Sequence, residues 1–246
     1  AEAAHSTEWA PEVLFYSLLD KDEEVREVQL LAVAREMGAD SEAQVRALLK
    51  AGGLPSPEQR LPLLEVAFPS LKRRPPDFVK RVLKTVEALV DADGRVDVFE
   101  FLLARVIAMH LWEAHNPHRV KTSGRNSISA CHKECQAVLA VLAVHGHDEP
   151  GQREAAFAAG ASALGLNGAT PVPVVDDWAP VLDQALPKLD SLKSAEKEKL
   201  VKAMAEVVLH DGRLAATELE LLRVCCDMIH VPLPLLTAPR QISRQS

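Results

Sequence analysis

The chain has 246 residues, and 48% of them are hydrophobic, enough to bury one large core or two small ones. Only 4% are aromatic, so the core must be built mainly from Leu, Val and Ala, which favours packed helices over a sheet. The net charge is -7 and the sequence shows no basic stripe that would neutralise phosphates. These properties argue against a nucleic-acid partner.

The four cysteines are Cys131, Cys135, Cys225 and Cys226. They form no CxxC pair and no disulfide framework, so we expect free thiols in a reducing compartment. Cys131 and Cys135 flank His132, a possible metal cluster for which the sequence offers no fourth ligand. No apolar run reaches the roughly 20 residues that span a bilayer. We therefore expect membrane contact only through segments outside this chain.

Apolar residues recur at helical spacing through most of the chain. Gly38 is expected to end the second helix and Ser41 to cap the third. A polar loop follows at 113–126 and a linker rich in Gly and Pro at 165–177. No long alternation of apolar and polar residues predicts a strand, so the fold class is all-α. The predicted helices are 11–19, 22–38, 41–53, 58–72, 77–92, 97–113, 128–146, 150–164, 178–190, 194–210 and 215–229.

The chain contains an internal repeat with an offset of 118 residues. Residues 61–111 align with residues 179–229 without a gap, and 14 of the 51 positions are identical. The most distinctive shared stretch is "DGR" followed by a glutamate, at 93–100 and again at 211–218. Such a repeat predicts one three-helix unit used twice, each copy needing neighbours to cover its apolar face.

The first copy of this stretch, "DADGRVDVFE" at 91–100, superficially resembles a calcium loop. An EF-hand loop requires glycine at position 6 and a bidentate glutamate at position 12. Counted from Asp91, Gly94 falls at position 4 and Leu102 at position 12. The pattern is therefore not an EF-hand.

A helix corner explains the same residues better. The glycines suit a left-handed helix end, and Asp97 with Glu100 resembles a capping box. The arginines would pair with the glutamates or close the preceding helix. The predicted structural residues are Gly94, Arg95, Glu100, Gly212, Arg213 and Glu218. A looser cation site remains the alternative, made from Asp91, Asp93, Asp97 and Glu100 with support from Glu87.

Other candidates for chemistry are weaker. His110, Glu113 and His115 lack the spacing of HExxH or of its inverted form. The stretch "HGHDE" at 145–149 is best explained as a helix end followed by a loop. No nucleophile, phosphate-binding or dinucleotide motif is present, so we predict no catalytic and no cofactor-binding residue.

Three stretches together resemble a known family. They are "LLDKDEEVREVQL" (18–30), "RLPLLEVAFPSLK" (60–72) with its corner, and "ELELLRVCCDMIHVPLPLL" (218–236). The corners resemble the signature of TerB-like helical domains. The whole set resembles the soluble C-terminal region of bacterial membrane zinc metallopeptidases of the HtpX and CAAX-prenyl-protease type.

The resemblance implies two related TerB-like lobes packed together. The expected division is a helical prefix at 1–57, a first lobe at 58–164, the linker, a second lobe at 178–236 and a tail at 237–246. Leu209 and Ala215 depart from the pattern in the second corner, where the first has Asp91 and Asp97.

The resemblance also implies a function. The chain would be a non-catalytic regulatory or interaction module, at the cytoplasmic face of the bacterial inner membrane as a soluble domain. Its partner would be the protease domain of the same polypeptide or another protein, and the zinc and HExxH motif would belong to that domain. The alternatives are a stand-alone TerB-like sensor of a metal or small ligand, and an enzyme of an unrecognised helical class.

Overall fold

The structure, a computed structural model, describes residues 9–92, 94, 97–120, 123–166, 168, 178–212 and 216–234. The all-α prediction is confirmed: these residues form eleven α-helices and, within the same ranges, no β-strand. None of the described helices is both long and apolar enough to cross a bilayer. The helices are α1 (Ala10–Ser17), α2 (Glu23–Met37), α3 (Ala39–Gly52), α4 (Pro57–Leu71), α5 (Pro76–Val90), α6 (Val98–His115), α7 (His132–Gly146), α8 (Pro150–Ala163), α9 (Trp178–Asp190), α10 (Ser194–Val208) and α11 (Ala216–Met228).

Local sequence explains many of the helix ends. The Asp22 side chain accepts hydrogen bonds from the backbone N–H groups of Glu24 and Val25, which caps the start of α2. Gly38 follows the last residue of α2 with a φ of 109°, a conformation that glycine adopts without strain.

Ser41 does not cap α3, and the expectation that it would was wrong. The helix begins two residues earlier, at Ala39, and Gly38 precedes it. Ser41 is buried, and its hydroxyl donates a 2.6 Å hydrogen bond to Glu12 Oε1 on α1. Ser41 therefore lies inside the first turn of α3 and not at its cap position, and its hydroxyl joins α3 to α1.

The chain divides into two compact units, unit 1 at residues 1–120 and unit 2 at residues 121–246. At the centre of unit 1 lies α1, of which every residue is buried. Its sequence, APEVLFYS, has almost no polar face, so the helix must be covered on all sides. It packs against α3, α4 and α5, and α2 covers the outer side of α5.

Unit 2 has α7 at its centre, with a continuous buried run from Ala137 to Ala143. This helix packs against α8, α9 and α10, while α8 covers α10 and α11 adds smaller contacts. The core of unit 2 is built from small and branched side chains, as the low aromatic content requires.

The division between the units lies inside the segment 113–126, where the sequence predicts a polar loop. The sequence-based domain scheme assigned α7 and α8 to the first lobe and placed the linker at 165–177. In the structure both helices belong to unit 2, where they cover α9 and α10. An apolar helix face shows that a cover is needed, but the pattern does not show which helix provides it.

Residues 123–126 lie along the turn between α9 and α10. Gly124 N–H donates to Leu192 O at 3.0 Å, and Lys193 N–H donates to Asn126 O at 3.0 Å. A Cβ atom on Gly124 would lie 1.7 Å from Ser191 O, so only glycine allows this approach.

Gly160 on α8 allows a similarly close approach inside the core. An added Cβ would lie 2.4 Å from Val207 Cγ2 and 3.0 Å from Ala203 O, both on α10. We expect Gly160→Ala to destabilise the protein by about 1–3 kcal/mol through overpacking, despite the higher helix propensity of alanine. Gly151→Ala on the same helix meets no atom within 4 Å and is the matched control. Urea unfolding measures both, and equal midpoints would contradict the prediction.

Candidate functional site

The first DGR corner joins α5 to α6. Gly94 has a φ of 67°, in the left-handed region, and its N–H donates to Asp91 O at 3.2 Å. Asp97 caps α6 by accepting the Glu100 N–H at Oδ1, at 3.2 Å. Asp93 and Arg95 lie outside the described residues, so their predicted roles stay predictions.

Glu100 lies in the first turn of α6 and pairs with Arg60 from α4, at 3.3 Å. Both side chains are largely buried, with 13% and 15% of their surfaces exposed. Burial raises the pKa of Glu100; Arg60 opposes that shift, and Asp97 and Asp20 add to it. Desolvation is the larger effect, because a carboxylate taken from water loses more than this single long ion pair returns.

Gln29 fixes the end of α5 from the side. It is buried, and its Nε2 donates to Leu89 O at 2.9 Å and to Leu18 O at 3.1 Å. Its Oε1 accepts the N–H of Asp20 at 2.8 Å. One amide thus joins the α1–α2 turn to a carbonyl at the end of α5 that otherwise accepts only a long backbone hydrogen bond, from the Ala92 N–H at 3.4 Å.

The second DGR corner joins α10 to α11, and its glycine has the same left-handed conformation as Gly94. Gly212 has a φ of 73°, and its N–H donates to Leu209 O at 2.9 Å. Glu218 is buried beside the C-terminal end of α7, where a Cβ on Gly146 would lie 3.5 Å from Oε1. Arg213 lies outside the described residues.

At the second corner, His147 makes the hydrogen bond that corresponds to the one Gln29 makes at the first. It is buried, and its Nε2 lies 2.9 Å from Val207 O, which is 118 residues after Leu89. The carbonyl can only accept, so Nε2 carries the proton. The ring of His210 lies edge-on at 6.3 Å. Two different side chains therefore donate to equivalent carbonyls, Leu89 O in unit 1 and Val207 O in unit 2.

The structure describes three of the four residues of the alternative cation site, and Asp93 lies outside the described residues. Asp91 and Asp97 are exposed, Asp97 accepts a backbone N–H, and Glu100 is paired with Arg60. Across the described ranges, no group of three or more His, Cys, Asp or Glu is placed to hold a metal ion.

The other candidate histidines are held separately. His115 contacts Leu111 O and Arg74 O through its two ring nitrogens, and the His110 ring packs on Phe68. His145 packs edge-on against Trp178. The structure therefore does not bring His110 and His115 together on one ligand.

All four cysteines are free and buried. Burial raises the pKa of Cys135 and Cys226 to about 12, and it raises that of Cys131 and Cys225 as well. Because the thiolate is the nucleophile and the metal ligand, these side chains are suited to packing.

Sequence reasoning did not identify Lys197 as a buried charged residue. The Lys197 side chain is 1% exposed, and its Nζ donates to Asp190 Oδ1 at 2.6 Å and to Ile229 O at 2.8 Å. His230 also contacts Asp190, at 2.9 Å, with a φ of 56° that is unusual for a residue other than glycine. No spacing signal marks these residues, because they meet only through the packing of α9, α10 and α11.

Comparison with known proteins gives no relative: no family model, curated protein or solved structure matches this chain.

Replacing His147 tests the buried hydrogen bond at the second corner. His147→Leu leaves Val207 O without its side-chain donor, so we expect a loss of about 1–3 kcal/mol in the free energy of unfolding. His147→Gln should retain most of the stability, because an amide performs this role in unit 1. Urea unfolding of both variants checks the prediction, and an equal loss in both would contradict it.

The raised pKa of Glu100 predicts a pH-dependent stability. The folded protein holds this proton more tightly than the unfolded chain, so the contribution of Glu100 to stability is greatest below the ordinary glutamate pKa of about 4.3. It decreases as the pH rises through the folded pKa. Relative to Glu100→Gln, the wild type should thus lose stability as the pH rises above the ordinary glutamate pKa and through the raised folded pKa. Glu58→Gln, which removes an exposed carboxylate on α4, controls for net charge.

Proposed function

We propose that this chain is a non-catalytic regulatory or interaction module of a membrane-bound zinc metalloendopeptidase. The HExxH protease domain and its zinc would lie outside the chain. The proposal rests on the resemblance of three stretches in order, at 18–30, 60–72 and 218–236.

The observation that supports it most is that both signature corners are built as structural elements. In each unit the signature glycine is left-handed and the signature glutamate is held in the first turn of the next helix. In each unit a buried side chain contacts the carbonyl at the end of the preceding helix, Leu89 O or Val207 O. These features suit a scaffold better than an exchangeable ligand site.

We also propose that the two units descend from one TerB-like unit. The helices α5 and α10 begin and end 118 residues apart, at 76–90 and 194–208. In each unit a buried helix, α1 or α7, packs under the repeated helices. The proposed copy is therefore larger than the three aligned helices, and it includes the helix that covers them.

The proposed partner is the protease domain of the same polypeptide or a separate protein, at the cytoplasmic face of the bacterial inner membrane. The four buried, free thiols are compatible with a reducing compartment. The reading frame upstream of Ala1 tests the first of these partners: a protease domain in the same polypeptide requires transmembrane helices and HExxH there, and a frame without them would contradict it.

Protease activity provides a second test. We expect the purified chain to leave unfolded casein intact in the presence of zinc, because the proposal places every catalytic group in another domain. Gel electrophoresis of the casein over time measures this. Cleavage that a chelator abolishes would show that the chain is itself a metallopeptidase.

A stand-alone sensor is the second candidate, and the exposed Asp91 and Asp97 at the first corner favour it. The sensor hypothesis expects a calorimetric signal for a divalent cation, weakened by Asp93→Asn or Glu100→Gln. No signal for calcium, magnesium, manganese or zinc would remove it.

A further inference from the structure

We propose that one end of unit 1 binds the surface of an anionic lipid bilayer. This basic end is where α4 ends, α5 begins and α6 ends. Besides its cations, this end has one exposed aromatic residue, in the last turn of α6. The members of the basic end are Lys72, Arg73, Arg74, Lys80, Arg119 and Trp112.

Tertiary contacts bring these residues together from two distant stretches. His115, in the last turn of α6, has its Nε2 3.1 Å from Arg74 O in the α4–α5 turn. One turn earlier on α6, His110 packs on Phe68 of α4 with ring centroids 4.9 Å apart. Trp112 lies between these two contacts in sequence, and a short helical turn carrying Arg119 follows α6 directly.

The basic end is open to solvent. Lys72, Arg73 and Arg119 are exposed, and the side chain of Lys80 is 77% exposed. Trp112 is 48% exposed, although large aromatic side chains are mostly buried in folded proteins.

Acidic residues lie on the same elements and at the α2–α3 turn beside them. Arg81 on α5 donates to Glu36 O at 2.7 Å, and Lys84 pairs with the Glu36 carboxylate at 2.8 Å. Asp40 in the first turn of α3 and Glu65 on α4 are exposed. Asp77 is almost fully exposed and pairs with Lys80 at 3.3 Å, and Glu113 follows Trp112 on α6. A surface pair of this kind contributes little and exchanges readily with other counterions. With the two further cations of α5 included, seven cations face these five acids, so the basic end remains positive.

The opposite end of unit 1 is acidic. Gln29 joins the α1–α2 turn to the end of α5, and Arg60, which pairs with Glu100 at the start of α6, donates to Leu19 O in the same turn at 3.4 Å. These contacts place α2's acidic first turn and the first corner at one end of the unit. A negative bilayer would attract the basic end and repel the acidic end, which fixes one orientation. The exposed acids there are Asp22, Glu23, Glu24, Asp91 and Asp97.

The exposed indole favours a bilayer over an acidic protein as the partner. Charge complementarity alone would suit either surface. Tryptophan, however, is enriched where membranes meet water, because its ring enters the headgroup region while its N–H stays hydrated. A basic cluster and a half-exposed tryptophan in the last turn of α6 offer the two contributions that peripheral membrane binding combines.

This inference goes beyond the proposed function, and it does not depend on it. The sequence predicts membrane contact only through segments outside the chain. The basic end instead gives this chain its own contact with lipid headgroups, whether or not a peptidase precedes it.

Vesicle co-sedimentation of the full chain tests the proposal. The probes are vesicles of phosphatidylcholine alone and vesicles with about 30% phosphatidylglycerol. We expect binding only to the anionic vesicles at about 50 mM NaCl and its loss at about 500 mM NaCl. Lys72→Gln/Arg73→Gln should weaken binding by about thirtyfold, since each cation near an anionic surface contributes about a factor of five.

The matched control is Lys50→Gln/Lys133→Gln, which removes the same charge at exposed positions outside the basic end. It should bind nearly as the wild type does. Bound protein should also show a blue-shifted tryptophan emission that Trp112→Phe removes, while Trp9 and Trp178 remain. Thermal melts by circular dichroism check that each variant is folded.

Three outcomes would overturn the proposal. The first is no sedimentation with anionic vesicles at low salt. The second is an equal loss of binding in the test and control variants. The third is binding to polyglutamate without binding to vesicles, which would identify an acidic protein as the partner.

Discussion

Each unit must satisfy the last carbonyls of its middle helix, α5 or α10, at a place that is shielded from water. The backbone gives Leu89 O and Val207 O only long hydrogen bonds of 3.4 Å, from the N–H groups of Ala92 and His210. In each unit a side chain from another element adds a shorter one. Gln29 does so at Leu89 and His147 does so at Val207. The turn before α2 or α8, the end of the middle helix and the corner that follows therefore meet at one point in each unit.

The residues that build each corner recur in both copies, whereas some of the surrounding acids differ between the copies. The left-handed glycines and the buried glutamates occur in both copies, where the backbone path and the first turn of the next helix require them. The acids around the first corner have no counterpart at Leu209 and Ala215. A left-handed glycine and a first-turn glutamate that recur while Asp91 and Asp97 are replaced are consistent with a structural role.

Charge is distributed along unit 1 in a way that composition conceals. The chain is acidic as a whole, and its sequence shows no basic stripe, which argues against a nucleic-acid partner. The packing of α6 against the α4–α5 turn nevertheless gathers cations from 72–80 and 119 at one end. A small basic surface on an acidic protein is suited to oriented contact with an anionic partner, and net charge does not reveal it.

The sequence by itself determined the helices, because their periodicity and end signals are local. Eleven were predicted and eleven are described, most with ends within two residues, and the two corner glycines are left-handed. Only the tertiary structure decided that α7 and α8 cover unit 2, that Ser41 bonds to Glu12, and that Lys197 is buried. These outcomes depend on which surfaces fit together across long sequence separations, and an apolar stripe carries no information about its partner.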